Sequence, residues 1–113
     1  MATLSLCMIV RDEARDMPRC LLSAQSIVTE IVVVDTGSTD STPQIAAGFG
    51  AHVISTTWAN DFSTARNLGL DAATGEWLLL LDADEELPPE TAARIPELVA
   101  QADATDPPID GYL

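Results

Sequence analysis

Residues Ile31 to Pro43 read IVVVDTGSTDSTP, and this stretch decides the fold. Ile31–Val34 is β-branched throughout, which predicts a central strand covered on both faces rather than one with a solvent side. Asp35-Thr36-Gly37-Ser38 follows as a turn, with Gly37 permitting the bend. Thr39 to Thr42 supplies several candidate helix N-caps, and Pro43 suits the first helical turn. A buried strand running through a polar turn into a helix is half of a βαβ unit.

The same alternation extends in both directions. Toward the N-terminus, Leu4–Val10 (LSLCMIV) is a short buried strand, and Arg11–Asp16 is a charged loop. From Met17 to Ile27 the apolar positions fit helical spacing. Toward the C-terminus, the helix after Pro43 runs to about Phe49, with Gly48 and Gly50 as stop signals, and Ala51–Ser55 is a third strand. Asp61 or Ser63 caps a helix running to Ala73, closed by Thr74-Gly75. Trp77–Leu81 is a fourth strand, and Pro88-Pro89 starts a last helix to about Ala102. Four strand–helix alternations predict an α/β fold: an open, mostly parallel, Rossmann-like sheet with flanking helices. Ligands of such sheets bind beyond the carboxyl ends of the strands. Three polar clusters fall there: Arg11-Asp12-Glu13, Asp35-Thr36-Gly37-Ser38, and Asp82 to Glu86.

The third cluster is the most demanding. WLLLLDADEE, Trp77 to Glu86, places Asp82, Asp84, Glu85 and Glu86 directly after an apolar run. Carboxylates two apart at a strand end can share one ligand if the chain leaves the extended conformation between them. Hard oxygen donors of this kind suit Mg²⁺ or Mn²⁺, with a substrate diphosphate completing the coordination shell. A divalent cation would relieve the repulsion among the acids and bring a phosphate into an acidic protein. The plainer reading is a polar loop with acids favoured by a helix N-terminus, and Glu85, Glu86 and Glu90 fit that better. Asp35 can accept a hydrogen bond from a ribose hydroxyl or a base N–H, or from its own backbone as turn residues do. Arg66 can meet a phosphate or a base carbonyl, or pair with Asp35 or Asp61.

Composition narrows the function classes. At 113 residues the chain suffices for one domain or part of one, and its 47% apolar but 4% aromatic content implies an aliphatic core. A formal charge of −13 opposes nucleic-acid binding, which needs a basic footprint, and disfavours anionic membranes. Cys7 and Cys20 sit among apolar residues and read as buried free thiols. Neither CxxC nor Cys/His spacing is present. Also absent are the Gly-x-Gly-x-x-Gly and P-loop phosphate grips. Leu4–Val10 is too short for a signal peptide, and no run reaches the ~20 residues of a membrane span. The expectation is a cytoplasmic protein that, in a longer form, can lie against the inner membrane face.

Four blocks, MIVRDEA (Met8–Ala14), IVVVDTGSTDST (Ile31–Thr42), WANDFSTARNLGLDAATGEWLLLLDADE (Trp58–Glu85) and DGYL at the end, together resemble the N-terminal, nucleotide-binding half of a family-two glycosyltransferase of GT-A fold. The variant with Asp-Thr-Gly-Ser-Thr-Asp and Asn-Asp-Phe-Ser is similar to bacterial members found beside tetratricopeptide repeats. The resemblance implies a nucleotide-sugar donor, most often a UDP-sugar, and an acceptor that is a saccharide, lipid or protein. It places Val10 and Arg11 along the base with Glu13 nearby, and Asp35 at the uracil or ribose with Gly37 in the turn beside it. Arg66 and Asn67 line the nucleotide site. Asp82 approaches the ribose or the metal, and Asp84 coordinates Mn²⁺ or Mg²⁺. The family's catalytic base comes from the second half, after the strand that DGYL begins, so no base is assigned in this chain. Residues 1–113 are therefore expected to form a single, incomplete GT-A domain, with Asp106-Pro107-Pro108 as an alternative boundary. Exposed sheet where further strands belong would favour self-association.

Two other enzyme classes and a binding role compete. A haloacid-dehalogenase-type phosphatase also ends a strand in Asp-x-Asp, but carries Thr or Ser two positions after the second Asp, where this chain has Glu86. Only 27 residues follow Glu86, too few for its remaining strands. A response-regulator receiver needs a later Lys, and the chain has none. A non-catalytic interaction domain with the same fold is the third alternative.

Overall fold

The computed structural model describes residues 3–57 and 62–103. The elements run β1 (Leu4–Val10), α1 (Met17–Ala24), β2 (Glu30–Asp35), α2 (Thr42–Gly48), β3 (His52–Ser55), α3 (Phe62–Ala72), β4 (Trp77–Leu80) and α4 (Pro89–Asp103). The four strands form one sheet in the order β3-β2-β1-β4, and every pairing is parallel, with Leu6 opposite Ile31 on one side and Leu79 on the other. The α/β expectation holds, with all four strands and all four helices where the apolar runs put them. Trp58–Asp61 and the terminal DGYL lie outside the described residues, as do Asp106–Pro108.

The order of strands explains the layers. The chain steps outward from β1 to β2 to β3, then returns across the sheet to place β4 on the far side of β1. Right-handed crossovers require the returning helix to lie on the opposite face. Accordingly α1 packs against α2 and α4 on one face, while α3 packs on β1 and β2 from the other. The reversal of direction lies between β1 and β4, the switch point where open α/β sheets form a crevice.

Strand periodicity divides the core. Leu4, Leu6, Met8 and Val10 point toward α1, α2 and α4, joining Met17, Cys20, Leu21, Ile31, Val33, Leu79, Ile95 and Val99. Leu6, Leu21 and Val33 are wholly buried, each worth ~1.5–3 kcal/mol against exposure. On the other face α3 sits close because Gly69 has no side chain. A Cβ there would lie 2.5 Å from Cys7 Sγ and 3.3 Å from Val34 Cγ2. Both cysteines are buried and free, as their apolar neighbours predict.

Boundaries differ from expectation in places. α1 stops at Ala24 instead of Ile27, because Ile27 N–H turns back to Ala24 O at 3.1 Å. Ile27 and Val28 still pack on the core, outside the helix. α2 begins at Thr42 with Pro43 in its first turn, but Ser41 at the cap position makes no side-chain capping bond. Asp40 does that work from one residue earlier, its Oδ1 accepting Thr42 N–H at 2.9 Å.

Candidate functional site

The carboxyl ends of β1 and β2 are joined by reciprocal hydrogen bonds between their loops. Asp12, at φ 53°, accepts the N–H groups of Thr39 at 2.7 Å and Asp40 at 3.3 Å on its Oδ1. In return Asp12 N–H donates to Ser38 Oγ at 2.9 Å, Glu13 N–H to Thr42 Oγ1 at 2.9 Å, and Ala14 N–H to Asp40 Oδ2 at 3.2 Å. Asx chemistry suits both Asp12 and Asp40, since a short carboxylate satisfies nearby backbone donors and tolerates a left-handed φ. Gly37 has φ 113° with open space around it, so conformation alone demands glycine there.

Asp35 ends β2 almost fully buried. Its Oδ2 accepts Ser38 N–H at 3.2 Å and its Oδ1 accepts the Ser38 hydroxyl. The turn reading of Asp35 is thus realised, and each carboxylate oxygen keeps a lone pair for a further donor. The Val10 side chain is in the core, because the pleat of β1 turns it toward the helices. Its carbonyl already receives Thr36 N–H at 3.0 Å and Thr36 Oγ1 at 3.1 Å.

A cleft of about 250 Å³ lies between β1 and β4 on the α3 side, lined by Cys7, Ile9, Arg66, Leu80, Leu81, Asp82 and Glu85. Arg66 is the only cation among these lining residues. Arg11, Asn67 and Gly37 are exposed and are not part of this lining; Asp84 is exposed beyond it. The structure therefore gathers Arg66 and Asp82 in the cleft, and Asp35 with the β1 loop beside it.

In the loop from β4 to α4, Ala83 is buried in the main core while Asp82 and Asp84 face solvent. The small middle residue anchors the loop, and the residues on either side of it are left exposed. Glu85 lies in the polar loop ahead of α4. Its Oε1 accepts Asp82 N–H at 2.8 Å, and its own N–H donates to Asp82 O at 2.9 Å. Glu86 is exposed ahead of the helix, and only Glu90 sits in the first turn of α4. Asp82 O also accepts the Cys20 thiol at 3.6 Å. Burial, with the negative charges of Glu85, Asp84 and Asp82, pushes that thiol up to about 11, so it remains a donor at neutral pH. Sequence reasoning read Cys20 only as a buried thiol and missed Ser23 and the Glu85 lock; a polar residue at helical spacing beside an acidic loop carries no sequence signal.

Glu13 binds its proton more tightly than an ordinary carboxyl, through partial desolvation first and then repulsion from Asp84, Asp16, Asp40 and Asp82. The loops after β1 and β4 thus present negative charge to one another. Among the described residues no three His, Cys, Asp or Glu side chains are gathered as a metal cage. The donor set fits Mg²⁺ or Mn²⁺ in the manner of one or two carboxylates with substrate phosphates completing the shell.

The chain is similar to known proteins in sequence and in fold. A TPR repeat-containing protein of Synechococcus elongatus is 61% identical over 87 residues, covering 77% of this chain and 22% of the relative. The SPbeta prophage-derived glycosyltransferase SunS of Bacillus subtilis is 36% identical over 95 residues, 82% of this chain and 22% of its own length. The chain thus spans less than a quarter of either relative. Glucosyl-3-phosphoglycerate synthase from Mycobacterium tuberculosis, solved with Mn²⁺, UDP-glucose and phosphoglyceric acid, superposes with a TM-score of 0.67 at 25% identity, over 88% of this chain and 39% of that one. The family model for glycosyl transferase family 2 matches residues 5–112. With the expected parallel sheet, acids at its carboxyl edge and a match along nearly its whole length, the chain belongs to glycosyl transferase family 2.

Proposed function

We propose that this chain is the nucleotide-sugar-binding part of an inverting, metal-dependent glycosyltransferase, with a UDP-sugar as the donor. The observation that carries the reading is the convergence, at the carboxyl ends of β1, β2 and β4, of the Asp35 turn, the Arg66-lined cleft and the Asp82-Ala83-Asp84 loop. The synthase of the same fold holds UDP-glucose together with Mn²⁺, which supports both halves of the proposal.

Each group then has a distinct task. Asp35, held by Ser38, offers its remaining lone pairs to a uracil N–H or ribose hydroxyl, with Gly37 bending the turn beside it. Val10 and Arg11 border the base through their backbone, since the Val10 side chain belongs to the core. Arg66 meets negative charge on the diphosphate, and Asn67 extends that wall. Asp84 and Asp82 would hold Mn²⁺ or Mg²⁺, and such an ion supplies charge neutralisation on the departing nucleoside diphosphate. Inverting transfer also needs a carboxylate to take the proton of the acceptor hydroxyl, whether saccharide, lipid or protein. No residue here is given that task. In this reading the base is supplied from outside these residues; the chain spans 22% of each of the two relatives.

A second reading rests on the size of the cleft. At about 250 Å³ it falls below the ~300–1,000 Å³ usual for small-molecule sites, which favours an interaction domain built on the same fold. Calorimetric titration of UDP and GDP, with and without Mn²⁺, separates these. Mn²⁺-dependent UDP binding that disappears in Asp84→Ala is the expected result. A folded chain that binds neither nucleotide would sink the donor-site reading.

A further inference from the structure

We propose that Ser23 of α1 is a positioning residue for the acidic loop, acting through the backbone of Leu87 to hold Asp82 and Asp84 where a divalent cation can meet them. This rests on the donor-site reading above and adds to it the element that sets the loop.

The loop is gripped near both ends by one face of α1. Ser23 Oγ donates to Cys20 O at 2.7 Å and accepts Leu87 N–H at 3.0 Å. One turn earlier, the Cys20 thiol donates to Asp82 O at 3.6 Å. Residues three apart on a helix lie on the same side, so the two contacts act as neighbouring pins. Leu87 is also the last residue before α4 with a backbone donor to offer, because Pro88 and Pro89 have no N–H. Between the pins, Ala83 is sunk in the core and Glu85 closes a turn on Asp82.

The chemistry of the pins matters. Asp82, Asp84, Glu85 and Glu86 repel one another, and an unsupported loop would splay to separate them. A lysine or arginine beneath the loop would hold it by neutralising the very charge that attracts a cation. A hydroxyl and a thiol hold it through neutral bonds and leave that charge in place. Ser23 makes the stronger of the two, as an oxygen acceptor for a backbone amide at normal distance.

The test compares Ser23→Ala, Ser23→Thr and, as a control of identical chemistry in the exposed turn just after α1, Ser26→Ala. Amide hydrogen exchange at Leu87 reads the pin itself, and titrations of Mn²⁺, and of UDP with and without Mn²⁺, read its consequence. Ser23→Ala is expected to speed Leu87 exchange and weaken Mn²⁺ binding roughly tenfold, the scale of lost outer-shell support. Metal-free UDP binding should not change. Ser23→Thr should restore both readouts, and Ser26→Ala should match the parent. Unchanged Leu87 exchange in Ser23→Ala overturns the pin. A parent that binds Mn²⁺ and UDP while Ser23→Ala binds them equally well overturns the role alone. A parent that binds neither overturns the donor-site reading and this role with it.

Discussion

Asp12 Oδ1 accepts the Thr39 N–H at 2.7 Å across 27 positions of sequence. That bond ties the loop after β1 to the loop after β2, and it is made from a left-handed backbone conformation. The two loops are therefore one rigid rim, with Asp35 and Glu13 set on it.

The rim predicts a graded response at Asp12. Asp12→Asn keeps an acceptor oxygen and tolerates the positive φ, so its cost should stay within ~0.5 kcal/mol. Asp12→Ala loses the acceptor and strains the backbone, and should cost ~1–2 kcal/mol. Urea unfolding of both variants checks the order; an alanine variant as stable as the asparagine one would mean the loops are not coupled.

Gly69 sets the depth of α3 on the sheet. Alanine gains helix propensity of ~1 kcal/mol over glycine, but its Cβ would stand 2.5 Å from Cys7 Sγ. Overpacking of a core costs ~1–3 kcal/mol, so the clash should win and Gly69→Ala should be destabilising by up to ~2 kcal/mol. Cys7→Ala removes the obstructing sulfur. In a double-mutant cycle, the pair should be less destabilised than the sum of the single changes.

Charge at the rim predicts pH dependence with two opposite signs. Glu13 has its pKa raised above the ordinary 4.5. Its contribution is fully present below that value and is lost as pH rises through the folded-state pKa. Asp40 has its pKa lowered below the ordinary 3.8, chiefly by the Thr42 hydroxyl. Its contribution is present above that value and is lost as pH falls through the folded-state pKa. Glu13→Gln should therefore raise the melting temperature at neutral pH and have no such benefit below about pH 4. Thermal melts at both pH values test this, and a stabilisation of equal size at both would exclude the charge repulsion as its cause.

Arg66 stands alone among the cleft-lining residues as a cation. Arg66→Ala should weaken UDP binding about tenfold, the loss of one charge-assisted contact of ~1.4 kcal/mol. Arg66→Lys should recover part of that loss, since lysine supplies charge without the planar fork. Calorimetry in the presence of Mn²⁺ measures both, and binding unchanged in Arg66→Ala would remove Arg66 from the donor site.

The sequence by itself determined the sheet and its chemistry-bearing edge. IVVV at Ile31–Val34 has no polar face to expose and had to become a central strand; LSLC and WLLL, earlier and later in the chain, follow the same rule. Those strands end where polar residues begin, because the burial that selects apolar side chains admits a carboxylate only when it is paired, as Asp35 is with Ser38. Helix ends were less legible: Ile27 reads as helical by spacing, yet it packs on the core from a turn, and burial satisfies both descriptions equally. Tertiary structure alone decided which polar residues meet. Asp12 finds Thr39, Ser23 finds Leu87, and Cys20 finds Asp82 only once parallel strands bring their loops to one end. Hydrogen bonds form between atoms within about 3 Å, and pairs 27 or 64 positions apart in the chain leave no periodic trace that a reader of sequence could follow.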